Sequence, residues 1–570
     1  MIALNTVARY DALYEQLTRN LPLFAPPEPP AMGVPPGDDL LSAEAMPPDP
    51  RQMAIVAVID HCIPFAHRLL TTQSGHSRVA SIWMQDGPPP MVARPDIPFG
   101  QELRGPEIDQ LRGAGSATLC PDEALYRGLG LMDAARAQSR WMLRARSHGA
   151  GIACTAAGYP PDDPTGRAHP LIAVGLPDWA LADTSGAAMP LLMQVAVVFI
   201  ISRARLLARQ INRSLAGPPV RPPLVVNISL GITAGSRDGQ SLIELMQQHL
   251  ADDPPPELGP VHFVLASGNT RQRRLNGVLA PGQGLGWQLL PDDRTLSEMQ
   301  LWTPPAAIGA PAIRLRLELP GLDAVETAFA APGGAGAQIA KLVDPQGREL
   351  ARLVLQAVER DTGLRQCLTL IAPPTVADAA GQALAPPGLW QITLLQAPGA
   401  CDVTVQRDDR LFGFPRAGRQ SRLADPAYHD RDASGRWQSR DPQPPNAVIR
   451  RDGTLNAYAW GPQQIRCGAH YAGRGGAITS YASLLGDGAC GDLTAPGDRS
   501  ALLAGMPAPA LRGAGLQFVS GTSIATARVA RWLSQRMAGP NPPRTRAQAV
   551  DLARGQGGPR LDPPMPWDRR

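Results

Sequence analysis

The chain's 570 residues are too many for one ordinary core and predict a large domain with at least one companion, and the 44% that are hydrophobic suit a globular protein. Its 54 basic side chains barely exceed its 50 acidic ones, and Lys341 is the only lysine. These charges are scattered and form no clustered basic face, so nucleic acid is not an expected partner.

Residues 1–50 hold one short helical stretch, 6–17, and then turn proline-rich through Pro26-Pro27-Glu28-Pro29-Pro30 and Pro47-Pro48, which predicts an N-terminal arm or linker. The opening residues carry neither a basic segment nor an unbroken apolar run, so no secretory signal is visible and a cytoplasmic location is expected. Residues 53–59 form a continuous apolar, β-branched-rich run ending at Asp60. Such a run suits a strand buried on both faces of a parallel sheet, and ligands bind at the carboxyl ends of those strands. Asp60 lies at that end, where an aspartate can also serve only as a turn former.

Residues 88–120 are rich in proline and glycine and read as a surface excursion, while 122–146 carry helix formers. They lead into Ser147-His148-Gly149-Ala150-Gly151, whose small residues allow a helix bearing His148 to lie tight against a sheet. A lone histidine there is also compatible with a structural role. Strands are expected at 171–176, 224–231 and 261–269, and helices at 187–210 and 241–250. The apolar run 187–201 contains Pro190 and Gln194 and falls short of the ~20 residues of a membrane span, so it reads as a buried helix. Alternating strands and helices predict an α/β fold with a doubly wound parallel sheet and helices on both faces.

After Arg274 the pattern changes to short segments, several alternating polar with apolar, separated by Pro, Gly or Asp. This predicts an inserted antiparallel β-sandwich, jelly-roll-like, at 285–410. It divides an α/β domain into 51–284 and 449–540, with a polar linker at 411–448 and a polar tail at 541–570.

Near the C-terminus, Phe518-Val519-Ser520-Gly521-Thr522-Ser523 runs into a helical stretch, so Ser523 falls where a helix begins. A hydroxyl there can simply cap the helix. It can also be a nucleophile, because unpaired N–H groups and the helix dipole converge at that point. A serine nucleophile needs a histidine to accept its proton and a buried carboxylate to orient that histidine. His148 and Asp60 supply both. Asn269, at the end of the 261–269 strand, can donate to an oxyanion or can be a turn asparagine after Gly268.

These segments resemble the subtilisin-like serine proteases. Ile59-Asp60-His61-Cys62-Ile63-Pro64 resembles the family's aspartate motif, with His67 fitting the histidine that often follows. Ser147-His148-Gly149-Ala150-Gly151 resembles the histidine motif, Asn227-Ile228-Ser229-Leu230-Gly231 the strand lining the peptide cleft, and Ala266-Ser267-Gly268-Asn269 the segment with the oxyanion asparagine. Gly521-Thr522-Ser523-Ile524-Ala525-Thr526-Ala527 resembles the serine motif. The departures are Cys62 for Gly, Ala150-Gly151 for Thr-His, and Ala527 for Pro; none removes a group from the proton relay.

The resemblance implies a serine endopeptidase with catalytic Asp60, His148 and Ser523 and an oxyanion hole of Asn269 and the Ser523 N–H. It further implies that Ser229, Leu230 and Gly231 pair with substrate as an added strand, and that Ala266, Ser267 and Gly268 wall the pocket for the residue before the scissile bond, roomy enough for an apolar side chain. The expected partner is a protein or peptide substrate, with the sandwich binding a partner or packing on the α/β domain. The alternative is a non-catalytic protein of this fold, binding through its cleft and sandwich. An esterase of the α/β-hydrolase type would show GxSxG and the order Ser, Asp, His, and neither is present.

No cofactor is required by this chemistry. Calcium is frequent in the family, but no dense carboxylate cluster marks a site, and Asp162-Asp163 and Asp252-Asp253 read as solvated turns. The seven cysteines, odd in number and without CxxC spacing, predict neither a disulfide framework nor a zinc ribbon. Cys62 and Cys154, close to two of the proposed catalytic residues, read as packed free thiols, or else make the protein thiol-sensitive.

Overall fold

The computed structural model describes residues 38–87, 94–116, 118–132, 141–182, 189–377, 381–408, 418–473, 476–512, 515–555, 560–563 and 565–567. The helix expected at 6–17, most of the arm and the start of the 411–448 linker lie outside the described residues.

Six strands open the α/β body: β1 (Ile55–Asp60), β2 (Val79–Met84), β3 (Gln101–Arg104), β4 (Leu171–Gly175), β5 (Leu224–Ile228) and β6 (Val261–Ala266). Every residue of β1 is buried, and its alternating side chains enter two different cores. Val56 and Val58 join one, while Ile55, Ala57 and Ile59 join the other. A strand with apolar residues at every position has no other way to bury both faces.

The sandwich follows, with β7 (Asn276–Leu279), β8 (Gly284–Leu289), β9 (Ser297–Trp302), β10 (Arg314–Glu318), β11 (Val325–Glu326), β12 (Gly336–Val343), β13 (Glu349–Arg360), β14 (Gly363–Ala372), β15 (Gly388–Gln396), β16 (Cys401–Val405) and β17 (Arg422–Ala424). They form a five-stranded sheet, β11-β10-β15-β8-β17, and a six-stranded sheet, β12-β13-β14-β9-β16-β7, both antiparallel. One core joins them, around Trp287 and Trp390 in edge contact at 5.6 Å, with Leu301, Leu315, Leu368 and Val403. This unit is wider than 285–410. β7 and β17 belong to it, and Val448 and Ile449 are buried in its core. Part of the expected linker is therefore sandwich, hidden in the sequence because only alternate residues such as Leu423 face inward.

β18 (Ile465–Tyr471) and β19 (Leu493–Asp498) return to the large sheet, completing the order β19-β18-β6-β5-β1-β4-β2-β3. All of its pairs are parallel except β2 with β3. Helices α1 (His148–Ala157) and α4 (Thr522–Met537) cover one face; α2 (Met189–Arg213) and α3 (Leu242–Asp252) cover the other. The protein is thus mixed α/β, with a large, mainly parallel sheet beside antiparallel ones.

The apolar helix α2 is 25 residues long, enough to cross a membrane, but 78% of its most apolar window is buried within the protein. Of the 88–120 excursion, β3 and a helix at Gly105–Arg112 are regular structure. Polar β3 escapes an apolar-run search because its buried Glu102 is paired: its oxygens lie 2.7 and 2.9 Å from Arg203 Nε and Nη2. The expected 122–146 helix stops at Gly128, with a 3₁₀ turn at Trp141–Leu143 and residues 133–140 outside the described set. Nor are the ends mere polar appendages. Leu40 and Leu41 are buried, held by the Gln210 side chain, and a helix at Arg546–Gly555 precedes the buried Leu561, Met565 and Trp567.

Candidate active site

Asp60 ends β1 and is fully buried, while His148 is the first residue of α1. His148 Nδ1 lies 2.8 Å from Asp60 Oδ2 and 2.9 Å from Oδ1. Asp60 Oδ1 also accepts the His61 N–H at 2.8 Å. Burial by itself would raise the Asp60 pKa, but the His148 and His61 imidazoles and their hydrogen bonds hold it well below the usual carboxylate range. The carboxylate is therefore ionised and able to fix the imidazole tautomer that leaves Nε2 as a base.

Local sequence makes this approach possible. Ser147 caps α1 by accepting the Ala150 N–H at 2.9 Å, and its own hydroxyl donates to the Cys62 carbonyl at 2.9 Å. A Cβ on Gly149 would lie 1.9 Å from the His61 carbonyl oxygen, so only glycine lets α1 come this close to β1. The His61 ring stacks parallel to that of His148, with centroids 6.0 Å apart.

Ser523 is the second residue of α4, whose N-cap Gly521 has φ +123°. His148, Ser523, Asn269 and Thr522 line one cavity of about 330 Å³. The Ser523 hydroxyl here donates to the Ser229 carbonyl at 3.0 Å, and the Ser229 hydroxyl donates back to the Ser523 carbonyl at 3.0 Å. Asn269 Oδ1 accepts both the N–H and the hydroxyl of Thr522, at 2.9 and 3.0 Å. Those bonds commit one end of the amide and leave Nδ2, a pure donor, as the other.

Of the residues expected to bind substrate, Ser229, Leu230, Gly231, Ala266 and Gly268 line the cavity. Ser267 does not. It is fully buried, with its N–H on the Cys467 carbonyl at 2.9 Å and its carbonyl on the Asn456 N–H at 2.7 Å, and side chains alternate along an extended chain. Asn456 was not legible in the sequence. Its Nδ2 donates at 3.2 Å to both the Leu230 and Ala266 carbonyls, tying the two cavity-lining segments together from more than 180 residues away along the chain. Local sequence carries no signal for such a long-range link. Sandwich residues Gln406, Arg407 and Gln420 also reach the cavity.

Among the described residues, Asp60, His61 and His148 bring donor atoms within 4.8 Å of one another, a group able to hold a metal, although its carboxylate is already hydrogen-bonded to His148. Asp163 caps a 3₁₀ turn through Thr165, and Asp252 accepts from Gln463. Cys62 and Cys154 are buried free thiols whose pKa is pushed up by burial, that of Cys154 to about 12, so thiolate chemistry is disfavoured at both. Cys62 has φ +50°, a left-handed conformation better suited to glycine.

No protein-family model matches the sequence, and no curated protein matches it. Among solved structures, the chain is similar to the CspB protease of Clostridium perfringens, with a TM-score of 0.53 at 15% identity, covering 87% of this chain and 82% of that one. At this identity the likeness is one of fold.

Proposed function

We propose that the chain is a protease, and more narrowly a subtilisin-like serine endopeptidase. One observation carries the reading: His148, 2.8 Å from the buried Asp60 carboxylate, shares a cavity with Ser523 at a helix start and with Asn269. The fold likeness to the CspB protease supports the coarser statement.

In this reading His148 Nε2 takes the Ser523 hydroxyl proton as Oγ bonds to the scissile carbonyl carbon. Asp60 keeps the imidazole oriented and stabilises its positive charge. Asn269 Nδ2 and the Ser523 N–H, at the positive end of α4, receive the oxyanion. His148 then protonates the leaving amine as the C–N bond breaks, and water hydrolyses the acyl-enzyme by the reverse proton path. Leaving the Ser229 carbonyl for His148 is a rearrangement the Ser523 hydroxyl makes before attack.

Ser523→Ala is expected to lower peptide turnover by about 10⁶-fold, the figure known for loss of the nucleophile in subtilisin itself, and to abolish fluorophosphonate labelling. Full activity in that variant, or labelling of another residue, would refute the reading. A second reading, a non-catalytic binding protein, draws on the Ser523 hydroxyl being engaged by Ser229. Ser523-dependent turnover of any peptide excludes it.

A further inference from the structure

The run that begins at Ser229 has few main-chain groups left for a ligand. Asn456 takes the Leu230 carbonyl at 3.2 Å, and the Ala457 N–H takes the Ile232 carbonyl at 2.9 Å. At Thr233 the sandwich intervenes. Gln406 Oε1 accepts the Thr233 N–H at 3.1 Å, and the Thr233 hydroxyl donates to the Val405 carbonyl at 2.8 Å. Among the hydrogen bonds of the described residues, none engages the Gly231 N–H or carbonyl. A peptide laid along this run therefore finds Ser229 and Gly231, the alternate positions of an extended strand, and nothing beyond them.

The obstruction is braced. Gln406 is buried, its N–H donates to the Glu298 carbonyl at 2.9 Å, and its carbonyl accepts Gln420 Nε2 at 3.0 Å. Just downstream, Arg365 Nη1 donates to the Ser236 carbonyl at 2.8 Å and to Asp238 Oδ2 at 2.9 Å, while Arg360 Nε reaches the same carboxylate at 2.7 Å. Loop 233–238 is thus clamped to the sandwich by a buried amide and two arginines. From Ser229 to Thr233 an extended chain spans at most about 13 Å, at roughly 3.3 Å per residue.

We propose that the inserted sandwich closes the acyl side of the cleft, restricting the enzyme to substrates with about four or fewer residues before the scissile bond. Gln406 is the residue that sets the limit. The inference rests on the peptidase reading above and on Ser229–Gly231 pairing with the acyl half of the substrate. Peptides with free space on that side, such as short peptides or segments near the N-terminus of a longer chain, are the substrate class.

The test is a series of N-terminally blocked fluorogenic peptides with two, three, four, six and eight residues before one constant scissile bond, assayed with the full chain. The expected kcat/KM rises to three or four residues and then falls at least tenfold at six and eight. In Gln406→Ala the ratio of the eight-residue to the three-residue kcat/KM should rise, a change that general destabilisation would not produce. Should that variant not fold, the wild-type series decides alone. Equal or better cleavage of the eight-residue peptide by the wild type overturns this inference and spares the peptidase reading. Absence of Ser523-dependent cleavage at every length overturns both.

Discussion

A carboxylate withdrawn from water is tolerable only with partners, and the fully buried Asp60 and the partly buried Asp86 show the two outcomes. Asp60 has His148 and the His61 N–H, and its pKa falls. Asp86 accepts the Asp178 backbone N–H at 2.7 Å but has no cationic partner among the described residues, and burial pushes its pKa up to about 8. An unfolded aspartate titrates near 3.9, so folding at higher pH must ionise Asp86 at a cost that grows between about pH 4 and 8. Asp86→Asn should therefore raise stability at pH 8 and leave it nearly unchanged at pH 4, as read from urea midpoints at the two pH values. At the cavity, Asn269→Ala is expected to lower kcat by about 10²–10³-fold with little change in KM, the signature of a donor that acts on the transition state. Steady-state kinetics on a fluorogenic peptide would check it.

At the scale of elements, the Asp60–His148 distance depends on how closely α1 approaches β1. Gly149→Ala would put a methyl group 1.9 Å from the His61 carbonyl oxygen, so the helix must retreat. Overpacking of this kind costs about 1–3 kcal/mol, but misplacing the imidazole by an ångström costs activity of the order of 10²-fold. The variant should remain folded by circular dichroism and lose most of its turnover. The small residues after His148 made this close packing legible in the sequence: Gly149 gives way to the His61 carbonyl, and Gly151 to Val519 on the other side of the helix. Asn456 had no such mark: its importance comes from two carbonyls brought to it by β5 and β6, which nothing around position 456 encodes.

At the scale of the whole molecule, the C-terminal segment is part of the core. Trp567 is 6% exposed and donates Nε1–H to the Pro507 carbonyl at 2.8 Å, next to the β20–β21 hairpin (Met506–Pro509 and Leu516–Val519) that precedes α4. Trp567→Ala should destabilise by about 3–5 kcal/mol, seen as a lower urea midpoint, and removal of residues 541–570 should cost more. Proline and arginine are frequent in that stretch, and beyond its helix the buried Leu561, Met565 and Trp567 are separated by prolines, so no periodic pattern declares their burial.

By itself the sequence determined what depends on neighbours along the chain. The apolar runs specify β1, β4, β5 and β6, alternation specifies most of the sandwich, and small residues and hydroxyls mark the starts of α1 and α4. Asp60, His148, Asn269 and Ser523 stood out because strand ends and helix starts are where such side chains can face a cavity. Only tertiary structure decided which of them meet, that Ser267 turns away, that Asn456 binds the two cavity walls together, and that the sandwich ends the cleft at Thr233. Those outcomes depend on hydrogen bonds between residues 88 and more positions apart, and a contact of that range is set by how the sheets pack, not by local periodicity.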